Sequence, residues 1–346
     1  MKIFYIANMR LPSERAHSIQ IMKTCEALSL NGADVELLVP NRETDIQEDV
    51  FKYYSAKRVF KIWKVFALDI VSIGWLGFWI ETITFTETVV WRIVFKRGIF
   101  YTRDEYIAFC LRLLGKRVVW EAHMGQKNLF VKFLILFRTP VVVISNGLKN
   151  LYVSMGVPEE KILVAPDGVD LNEFNTQISK VDARAKLGIS SRGKVVMYVG
   201  SRQGWKGVEI LEEAAKYLPS DIRVMIISGK PYKEIPLYLR AADLLVIPNS
   251  GTEDISRLYT SPMKLFEYIA SGTPIVASDL PSIREILPES EVSYFTPNDA
   301  KSLAEVIMKS LVSERSIYNI VDINEYSWLS RAGKIMKFIS LNFLKE

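Results

Sequence analysis

The sequence predicts an α/β protein with two parallel sheets, each covered by helices. Three observations favour this class. Short runs rich in Val and Ile alternate with longer helical patterns, which is typical of layered strands and helices. Most of the short runs are apolar throughout, as expected for strands buried on both faces of a parallel sheet. The runs form two series along 346 residues, and that length suggests about two domains.

The two series of short runs give the predicted strands in order. The first series contains Lys2–Ala7, Asp34–Pro40, Ile99–Thr102, Arg117–Glu121, Val141–Ser145 and Ile162–Ala165. The second series contains Val195–Gly200, Arg223–Ser228, Leu244–Pro248, Pro274–Ser278 and Ser293–Phe295. Helical patterns between them include Gln20–Asn31, Val208–Leu218 and Ala300–Val312. This alternation predicts two open sheets that bind ligands at the carboxyl ends of their strands.

A polar stretch with little apolar periodicity, residues 167–184, separates the two series and predicts a linker. We therefore expect one domain over residues 1–170 and a second over residues 171–329. The remaining segment, residues 330–346, has apolar residues on one stripe and predicts a last amphipathic helix.

Composition excludes several classes of function. Hydrophobic residues make up 49% and charged residues 24% of the chain, which excludes a disordered protein. The net charge is +5, too small to indicate nucleic-acid binding. Two cysteines and two histidines exclude a disulfide framework and a metal site built on several thiolates or imidazoles. The first residues lack the apolar core of a secretory signal, so we expect a cytoplasmic protein.

Basic and aromatic residues are concentrated in one segment, residues 51–66. It holds five basic residues, six aromatic residues and no acidic residue. Such a mixture is attracted to anionic lipid headgroups, so one interpretation is a peripheral contact with the inner face of the cell membrane. The alternative is an ordinary amphipathic helix with a solvated basic face. The uncharged run that follows, Ile70–Ile80, is too short to span a bilayer.

The segment TSPMKLFEYIASG, residues 260–272, predicts a helix whose first turn binds an anion. Ser261 suits the N-cap and Pro262 the first helical position. Free amides, the helix dipole and the ammonium of Lys264 then form a phosphate site. Glu267, further along the helix, is placed to accept hydrogen bonds from two ribose hydroxyls. The alternative is a plain capped helix with a surface Lys and a surface Glu.

Two further places carry candidate site residues. The glycine-rich loop SRQGWKG follows the strand Val195–Gly200, and its Arg202 and Lys206 can reach the same phosphates. Such loops are also common in α/β proteins without a ligand.

His123 lies at the carboxyl end of the strand Arg117–Glu121, where a side chain can meet a sugar hydroxyl or charge at an anomeric centre. The alternative is a histidine of the core or of a loop, with its ring nitrogens hydrogen-bonded within the protein. His17 and Arg15 follow the first strand, and they are candidates either for contact with an acceptor or for plain surface positions.

Several motifs in this order resemble the retaining glycosyltransferases of family 4, the group 1 glycosyltransferases. They are VISNGLKN (143–150), VAPDGVDLNEF (164–174), YVGSRQGWKGV (198–208), AADLLVIPNS (241–250), SPMKLFEYIASGTPIVASDLPSIREIL (261–287) and YSWLSRAGKIMKFI (326–339). The resemblance implies a GT-B fold, with two Rossmann-like domains facing each other across a cleft. It also implies an N-terminal acceptor domain, a C-terminal donor domain and a last helix that crosses back to the first domain.

The resemblance also implies roles for individual residues. The family's phosphate-binding Lys falls on Lys206, and the ribose-binding second Glu of its Glu-x7-Glu pattern falls on Glu267. The active-site His falls on His123. The nucleotide base is expected near Pro248 and Gly229.

The chain departs from the family pattern at two positions. Tyr259 stands where the first Glu of Glu-x7-Glu is expected, next to the donor sugar. Ser201 replaces an Arg, and Arg202 follows it. The chain also lacks an Asp-x-Asp metal motif, which agrees with chemistry that needs no metal and no cofactor.

The expected function is transfer of a sugar from a nucleotide-diphosphate sugar to a hydroxyl of a glycan or lipid-linked acceptor, with retained configuration. The departures at Tyr259 and Ser201 motivate an alternative, a GT-B protein that binds a nucleotide or a partner without catalysis. A sugar-nucleotide epimerase on the same fold is a third possibility, although no carboxylate pair favours it.

Overall fold

The computed structural model describes residues 1–287, 292–313 and 322–343. These divide into two units. Unit 1 comprises residues 1–144, 148–165 and the described part of 328–346, and unit 2 comprises residues 145–147 and 166–327 without the two internal gaps. The predicted α/β class with two sheets is confirmed.

Apart from residues 145–147, the chain passes from unit 1 to unit 2 at 165/166 rather than at 170/171. The interpretation of residues 167–184 as a linker was wrong. This polar stretch folds as part of unit 2, where the Phe174 side chain is completely buried. Its polarity reflects two short helices with exposed faces, at Leu171–Phe174 and Lys180–Leu187.

Unit 1 contains a seven-stranded parallel sheet with the order β3-β2-β1-β4-β5-β6-β7. Unit 2 contains a five-stranded parallel sheet with the order β12-β11-β10-β8-β9. The strands are β1 (Lys2–Ile6), β2 (Asp34–Pro40), β3 (Lys61–Val65), β4 (Ile99–Thr102), β5 (Arg117–Ala122), β6 (Val141–Val143), β7 (Ile162–Val164), β8 (Lys194–Val199), β9 (Ile222–Ile227), β10 (Leu244–Ile247), β11 (Ile275–Ser278) and β12 (Ser293–Phe295).

The α-helices alternate with these strands, as the sequence predicted. They are α1 (Ala16–Leu30), α2 (Val50–Tyr53), α3 (Trp75–Ile93), α4 (Glu105–Leu113), α5 (Leu129–Leu136), α6 (Asn146–Ser154), α7 (Leu171–Phe174), α8 (Lys180–Leu187), α9 (Val208–Ala214), α10 (Ile235–Ala241), α11 (Met263–Ser271), α12 (Pro281–Arg284), α13 (Ala300–Val312) and α14 (Trp328–Phe343). Among the described helices, none combines the length and the apolar character needed to cross a bilayer.

The strand that the sequence analysis missed is β3, at the edge of the sheet in unit 1. It pairs only with β2, and of its five residues only Val65 is buried. Residues 51–66 therefore form the short helix α2, a loop and this edge strand. The alternative of an ordinary amphipathic helix for this segment was wrong. An exposed edge strand carries charged side chains and lacks the apolar pattern of a buried strand, so the sequence did not indicate it.

The strand orders place a topological switch point in each sheet. In unit 1, β1 lies between β2 and β4. The strands β2 and β3 extend the sheet on one side of β1, and the strands β4 to β7 extend it on the other. In unit 2, β8 lies between β9 and β10 in the same way. Ligands of open parallel sheets bind at the carboxyl ends of such strand pairs. A ligand site is thus expected at the loops that follow β1, β4, β8 and β10.

The last described helix, α14, packs in unit 1 against α1. Its side chains Ile335 and Ile339 are completely buried, and Arg331 is only 3% exposed. The helix begins at Trp328, two residues before the predicted start, and residues 344–346 of the predicted segment lie outside the described residues. The fold therefore brings the charged side chain of Arg331 into the interior of unit 1.

Candidate functional site

The loops that follow β8 and β10 are held together by their backbones. The amide of Ser250 donates a hydrogen bond to the carbonyl of Trp205, 3.0 Å away. Gly207 has φ +66°, and a Cβ atom there would lie 2.0 Å from the carbonyl oxygen of Pro248. Only glycine permits both this conformation and this approach. The predicted site residues Lys206 and Pro248 are thus brought next to each other.

Lys264 lies in the first turn of α11 and is buried. Its Nζ donates to the hydroxyl oxygen of Tyr198, 2.7 Å away, and lies 4.1 Å from the centre of that ring. Burial holds the pKa of Lys264 well below its usual range, and the nearby charge of Lys206 lowers it further. An ammonium in such surroundings is stabilised by an anion.

Lys206 is the second cation of this place. Its Nζ lies 3.5 Å from the centre of the Trp205 ring. Burial lowers the pKa of Lys206 to about 8, and the carboxylate of Asp167 partly offsets this effect. Within the described part of the chain, neither Lys206 nor Lys264 has a carboxylate oxygen within 4.0 Å of its ammonium. Two partly desolvated lysines without a close counter-ion form a site for an anion of more than one charge.

Glu267 lies one turn further along α11 and is also buried. Burial raises its pKa to about 7, while the nearby Tyr232 hydroxyl and the charge of Lys264 act in the opposite direction. The carboxyl group therefore exchanges its proton near neutral pH. It is a good hydrogen-bond partner for hydroxyl groups in a site that excludes water.

The predicted cap of α11 was wrong in detail. Pro262 occupies the N-cap position and the helix begins at Met263. The hydroxyl oxygen of Ser261 accepts a hydrogen bond from the backbone amide of Asp167, 3.0 Å away, and not from the first turn of the helix. The reason is tertiary: the segment 166–170 packs against this turn and offers an amide that the sequence does not reveal. The N-terminus of α11 thus has no side-chain cap.

The other predicted donor residues of unit 2 occupy varied positions. Gly229 follows β9 in a left-handed turn with φ +64°. Tyr259 ends a π-helical turn over Ile255–Tyr259 and is half-buried. Arg202 is exposed and forms an ion pair with Glu212 at 2.7 Å. Arg202 is therefore engaged on the surface, whereas Lys264 interacts electrostatically with Lys206 and with Glu267.

The sequence analysis missed two polar residues of this region. Asn249 directly follows Pro248 after β10 and is completely buried, and its side-chain nitrogen and oxygen have no hydrogen-bond partner among the described residues. Asp167 is 3% exposed and acts on the pKa of Lys206. The sequence could have indicated Asn249 by its position at the carboxyl end of a predicted strand. Asp167 was obscured by its assignment to a linker.

In unit 1, His123 directly follows β5 at the carboxyl edge of the sheet, where the sequence analysis placed it. Its Nε2 lies 2.6 Å from Oε1 of Glu121, and its Nδ1 lies 2.6 Å from a guanidinium nitrogen of Arg103, which also contacts Nε2. Burial and then the charge of Arg103 lower the pKa of His123 to about 3, and Glu121 opposes this shift. His123 is therefore neutral across the physiological range.

Arg103, which the sequence analysis missed, links these residues to the predicted acceptor residues. It follows β4 and donates to Oε1 of Gln20 on α1, 3.0 Å away. His17 begins the same helix, and burial lowers its pKa to about 4, with Arg103 and then Arg15 acting in the same direction. Arg15 is the exposed N-cap residue of α1. The positions that follow β1, β4 and β5 thus share one strongly positive environment.

Comparison with known families and sequences gives matches concentrated in unit 2. The family model of group 1 glycosyl transferases matches residues 223–312. The chain is 24% identical over 231 residues to the amylovoran biosynthesis glycosyltransferase AmsK of Erwinia amylovora, a match covering 60% of this chain and 55% of that protein. It is 32% identical over 105 residues to a phosphatidyl-myo-inositol mannosyltransferase of Mycobacterium leprae, covering 29% and 26% respectively.

The chain thus spans about half the length, or less, of the curated relatives it matches. Solved structures match over the whole chain. Sucrose-phosphate synthase from Thermosynechococcus elongatus has a TM-score of 0.77 at 18% identity, with 100% of both chains covered. HepE from Anabaena, in complex with UDP and glucose, has a TM-score of 0.74 at 15% identity, covering 99% of this chain and 100% of that one. At such identities these likenesses show the fold, which is GT-B.

The close approach of Gly207 to Pro248 gives a testable prediction. Gly207→Ala is expected to lower the free energy of unfolding of unit 2 by about 2 kcal/mol or more, because Ala is strained at this φ and its Cβ meets a backbone carbonyl. Gly204→Ala, three residues away with no atom within 4 Å of the new Cβ, is expected to change it by less than about 0.5 kcal/mol. Urea denaturation measures both variants. Equal effects would contradict the assigned contact.

Proposed function

We propose that this chain, which resembles the group 1 glycosyltransferases in sequence and has the GT-B fold, is a glycosyltransferase. It transfers a sugar from a nucleotide-diphosphate sugar to a hydroxyl of a glycan or lipid-linked acceptor, with retained configuration. The observation that carries the proposal is the pair of desolvated lysines in unit 2, the half-buried Lys206 and the buried Lys264, with Glu267 one turn along α11 from Lys264. The family model matches the segment that contains two of these three residues.

The charges of this site suit a nucleoside diphosphate. Two ammonium groups and the uncapped amides at the start of α11 offer positive potential, which matches a diphosphate of two or more negative charges. Glu267 lies about 4.5 Å further along the helix axis than Lys264, at about 1.5 Å per residue, and accepts hydrogen bonds from the ribose. The family resemblance places the base near Gly229 and Pro248.

The proposed reaction breaks the bond between the anomeric carbon and the diphosphate. The acceptor oxygen forms its bond to the same face of that carbon, and its proton passes to the leaving diphosphate. Lys206 and Lys264 stabilise the negative charge that develops on the leaving group. Since these residues supply the positive charge themselves, we propose that no metal and no cofactor is required. The resemblance gives His123 the active-site role, and its low pKa keeps the ring neutral in that role.

The direct test combines nucleotide binding with transfer. The purified full chain is screened for thermal stabilisation by a panel of nucleotide-diphosphate sugars, and the best donor is assayed for hydrolysis and transfer. We expect Lys206→Ala and Glu267→Ala to lose most of the stabilisation, because they remove the diphosphate and ribose contacts. His123→Ala is expected to keep nucleotide binding and lose most turnover. Lys216→Ala, which removes an exposed lysine outside the site, serves as the control.

Each outcome of this test discriminates between functions. Stabilisation without hydrolysis or transfer would favour the alternative of a nucleotide-binding protein without catalysis, for which Tyr259 in place of a donor-sugar carboxylate is the motive. Conversion of the donor without any acceptor, to an isomeric sugar nucleotide, would favour an epimerase. Stabilisation by none of the nucleotides would contradict all three functions.

The pKa of Lys206 gives a pH prediction. Its pKa of about 8 in the free protein means that the ammonium is charged at pH 7 and largely lost at pH 9. A diphosphate stabilises the charged form, so affinity is present below the pKa and falls as pH rises through it. One such proton predicts about tenfold weaker binding of UDP at pH 9 than at pH 7, measured by calorimetry.

Lys206→Arg is the matched variant for this experiment. Its guanidinium stays charged at both pH values, so the part of the fall that belongs to residue 206 should disappear. The terminal phosphate of UDP loses its proton near pH 6 and does not contribute in this range. Binding by the unchanged protein that is equal or tighter at pH 9 would contradict the assigned role.

We also propose that unit 1 contacts an anionic membrane surface, which suits a lipid-linked acceptor and a location at the cytoplasmic face. Lys61 and Lys64 in the segment 51–66 are exposed. Large apolar side chains follow this segment and are more than 60% exposed: Phe66, Ile73, Trp75 and Leu76. Basic residues beside exposed aromatic and aliphatic ones are typical of proteins that bind at the lipid headgroup level.

Vesicle sedimentation tests this contact. We expect binding to vesicles with anionic lipid and little binding to zwitterionic ones. Lys61→Ala with Lys64→Ala should weaken binding about tenfold or more, since each basic residue contributes roughly 1 kcal/mol. Trp75→Ser should also weaken it, whereas Val312→Ser, at an exposed site of unit 2, should not. Binding independent of anionic lipid would contradict the proposal.

A further inference from the structure

A buried carboxylate joins the last helix of the chain to the predicted active-site histidine. Oε1 of Glu121 accepts hydrogen bonds from the guanidinium of Arg331, 2.7 Å away, and from Nε2 of His123, 2.6 Å away. The side chains of Glu121 and Arg331 are 2% and 3% exposed. Arg331 also reaches Oγ1 of Thr24 on α1, at 3.4 Å. The sequence separates Arg331 from Glu121 by 210 positions.

The charged and titratable groups near this carboxylate come from several elements of unit 1. Arg103 lies 3.7 Å from Glu121, so two guanidinium groups face one carboxylate. Arg331 and Arg103 hold the pKa of Glu121 well below its usual range against the effect of burial, so it is ionised. Burial and the charge of Glu121 raise the pKa of Tyr5 on β1, Tyr101 on β4 and Cys25 on α1, which stay neutral.

The chemistry of the partners then decides the tautomer of His123. An ionised carboxylate only accepts hydrogen bonds, so the ring nitrogen that faces Glu121 must carry the proton. That nitrogen is Nε2. The guanidinium of Arg103 contacts both ring nitrogens. Since it only donates, the bare Nδ1 is the nitrogen that can accept from it. Adding a proton to Nδ1 would place a third cation beside two guanidinium groups.

We propose that Arg331 is a positioning residue for His123: it fixes the carboxylate of Glu121, and Glu121 in turn fixes the orientation and the Nε2–H tautomer of the His123 ring. The part of this inference that concerns catalysis rests on the proposed function. The part that concerns the ring does not, since it follows from contacts within unit 1. The last helix thereby sets the hydrogen-bonding state of a residue at the end of β5.

Removing Arg331 has a definite electrostatic consequence. Glu121 would keep only Arg103 as a cationic partner, and the repulsion between Arg331 and a protonated His123 would disappear. In Arg331→Met, the pKa of His123 should therefore rise above its wild-type value of about 3, while burial and Arg103, which contribute more to the low pKa, remain. Arg331→Lys keeps the charge and should leave the pKa of His123 low.

Nuclear magnetic resonance of the imidazole nitrogens measures both properties. The chain has only two histidines, so ¹⁵N-histidine labelling gives two ring systems, which a His17→Gln variant assigns. We expect wild-type His123 to show the Nε2–H tautomer and no titration between roughly pH 5 and 8. Lys337→Met, which removes an exposed charge from the same helix, should behave like the wild type.

Two results would overturn the proposal. One is a wild-type His123 that carries its proton on Nδ1 or titrates in that range, and this readout does not depend on any variant folding. The other is a folded Arg331→Met protein whose His123 keeps the wild-type tautomer and pKa, which would make Arg331 merely structural. These measurements need no substrate. Absence of transferase activity with the expected His123 signals would therefore count against the proposed function alone.

Discussion

The ion cluster around Glu121 is the interaction on which unit 1 depends. A carboxylate in a dry interior is stable only when it is paired, and removing one partner of a buried pair costs on the order of 3 to 5 kcal/mol. Glu121 finds its partners on β4 and on α14, at Arg103 and Arg331. Arg331 on the last described helix therefore neutralises a carboxylate of the first sheet. Buried apolar side chains of this helix, such as Ile335, pack it into unit 1.

The two parallel sheets confine polar chemistry to their carboxyl edges. Strands buried on both faces leave no room for charged side chains along their length, so charge accumulates where the strands end. In unit 1 this edge holds Arg103, Glu121 and His123. In unit 2 the corresponding edge is followed by the loop that carries Lys206 and by the buried Asn249. The same constraint thus produces a polar site in each unit from otherwise apolar layers.

How much of the fold and of the site the sequence predicts depends on whether the interactions are local or join segments that are distant in sequence. The bounds of the apolar strands were predicted within one or two residues, because strands buried on both faces consist of apolar residues. The strand β3 was missed because an edge strand need not be apolar. The position of His123 was predicted from the strand before it. The resemblance to group 1 glycosyltransferases, read from several short motifs in order, is confirmed by the family model and by the relatives.

What the sequence did not reveal are contacts made between distant segments. Ser261 binds the amide of Asp167, which lies 94 positions away, so local capping rules assigned its hydroxyl to the wrong partner. Arg331 has no local signal at all, since an arginine on an amphipathic helix is usually a solvated residue. Its burial depends on a carboxylate that the strand β5 positions. Charges that lie far apart in sequence and meet in the interior can be found only once the fold is known.

The net charge of +5 conceals how the cations are distributed. Arg202 and Lys216 are exposed and satisfied by neighbouring carboxylates. Lys206 and Lys264 are desolvated, and the charge of Lys206 lowers the pKa of Lys264 further. A pair of this kind weakens the ligand-free protein, and a bound polyanion removes the penalty by restoring both charges. These two lysines, rather than the more numerous surface cations, are therefore the groups of unit 2 whose charged forms a bound anion would stabilise most.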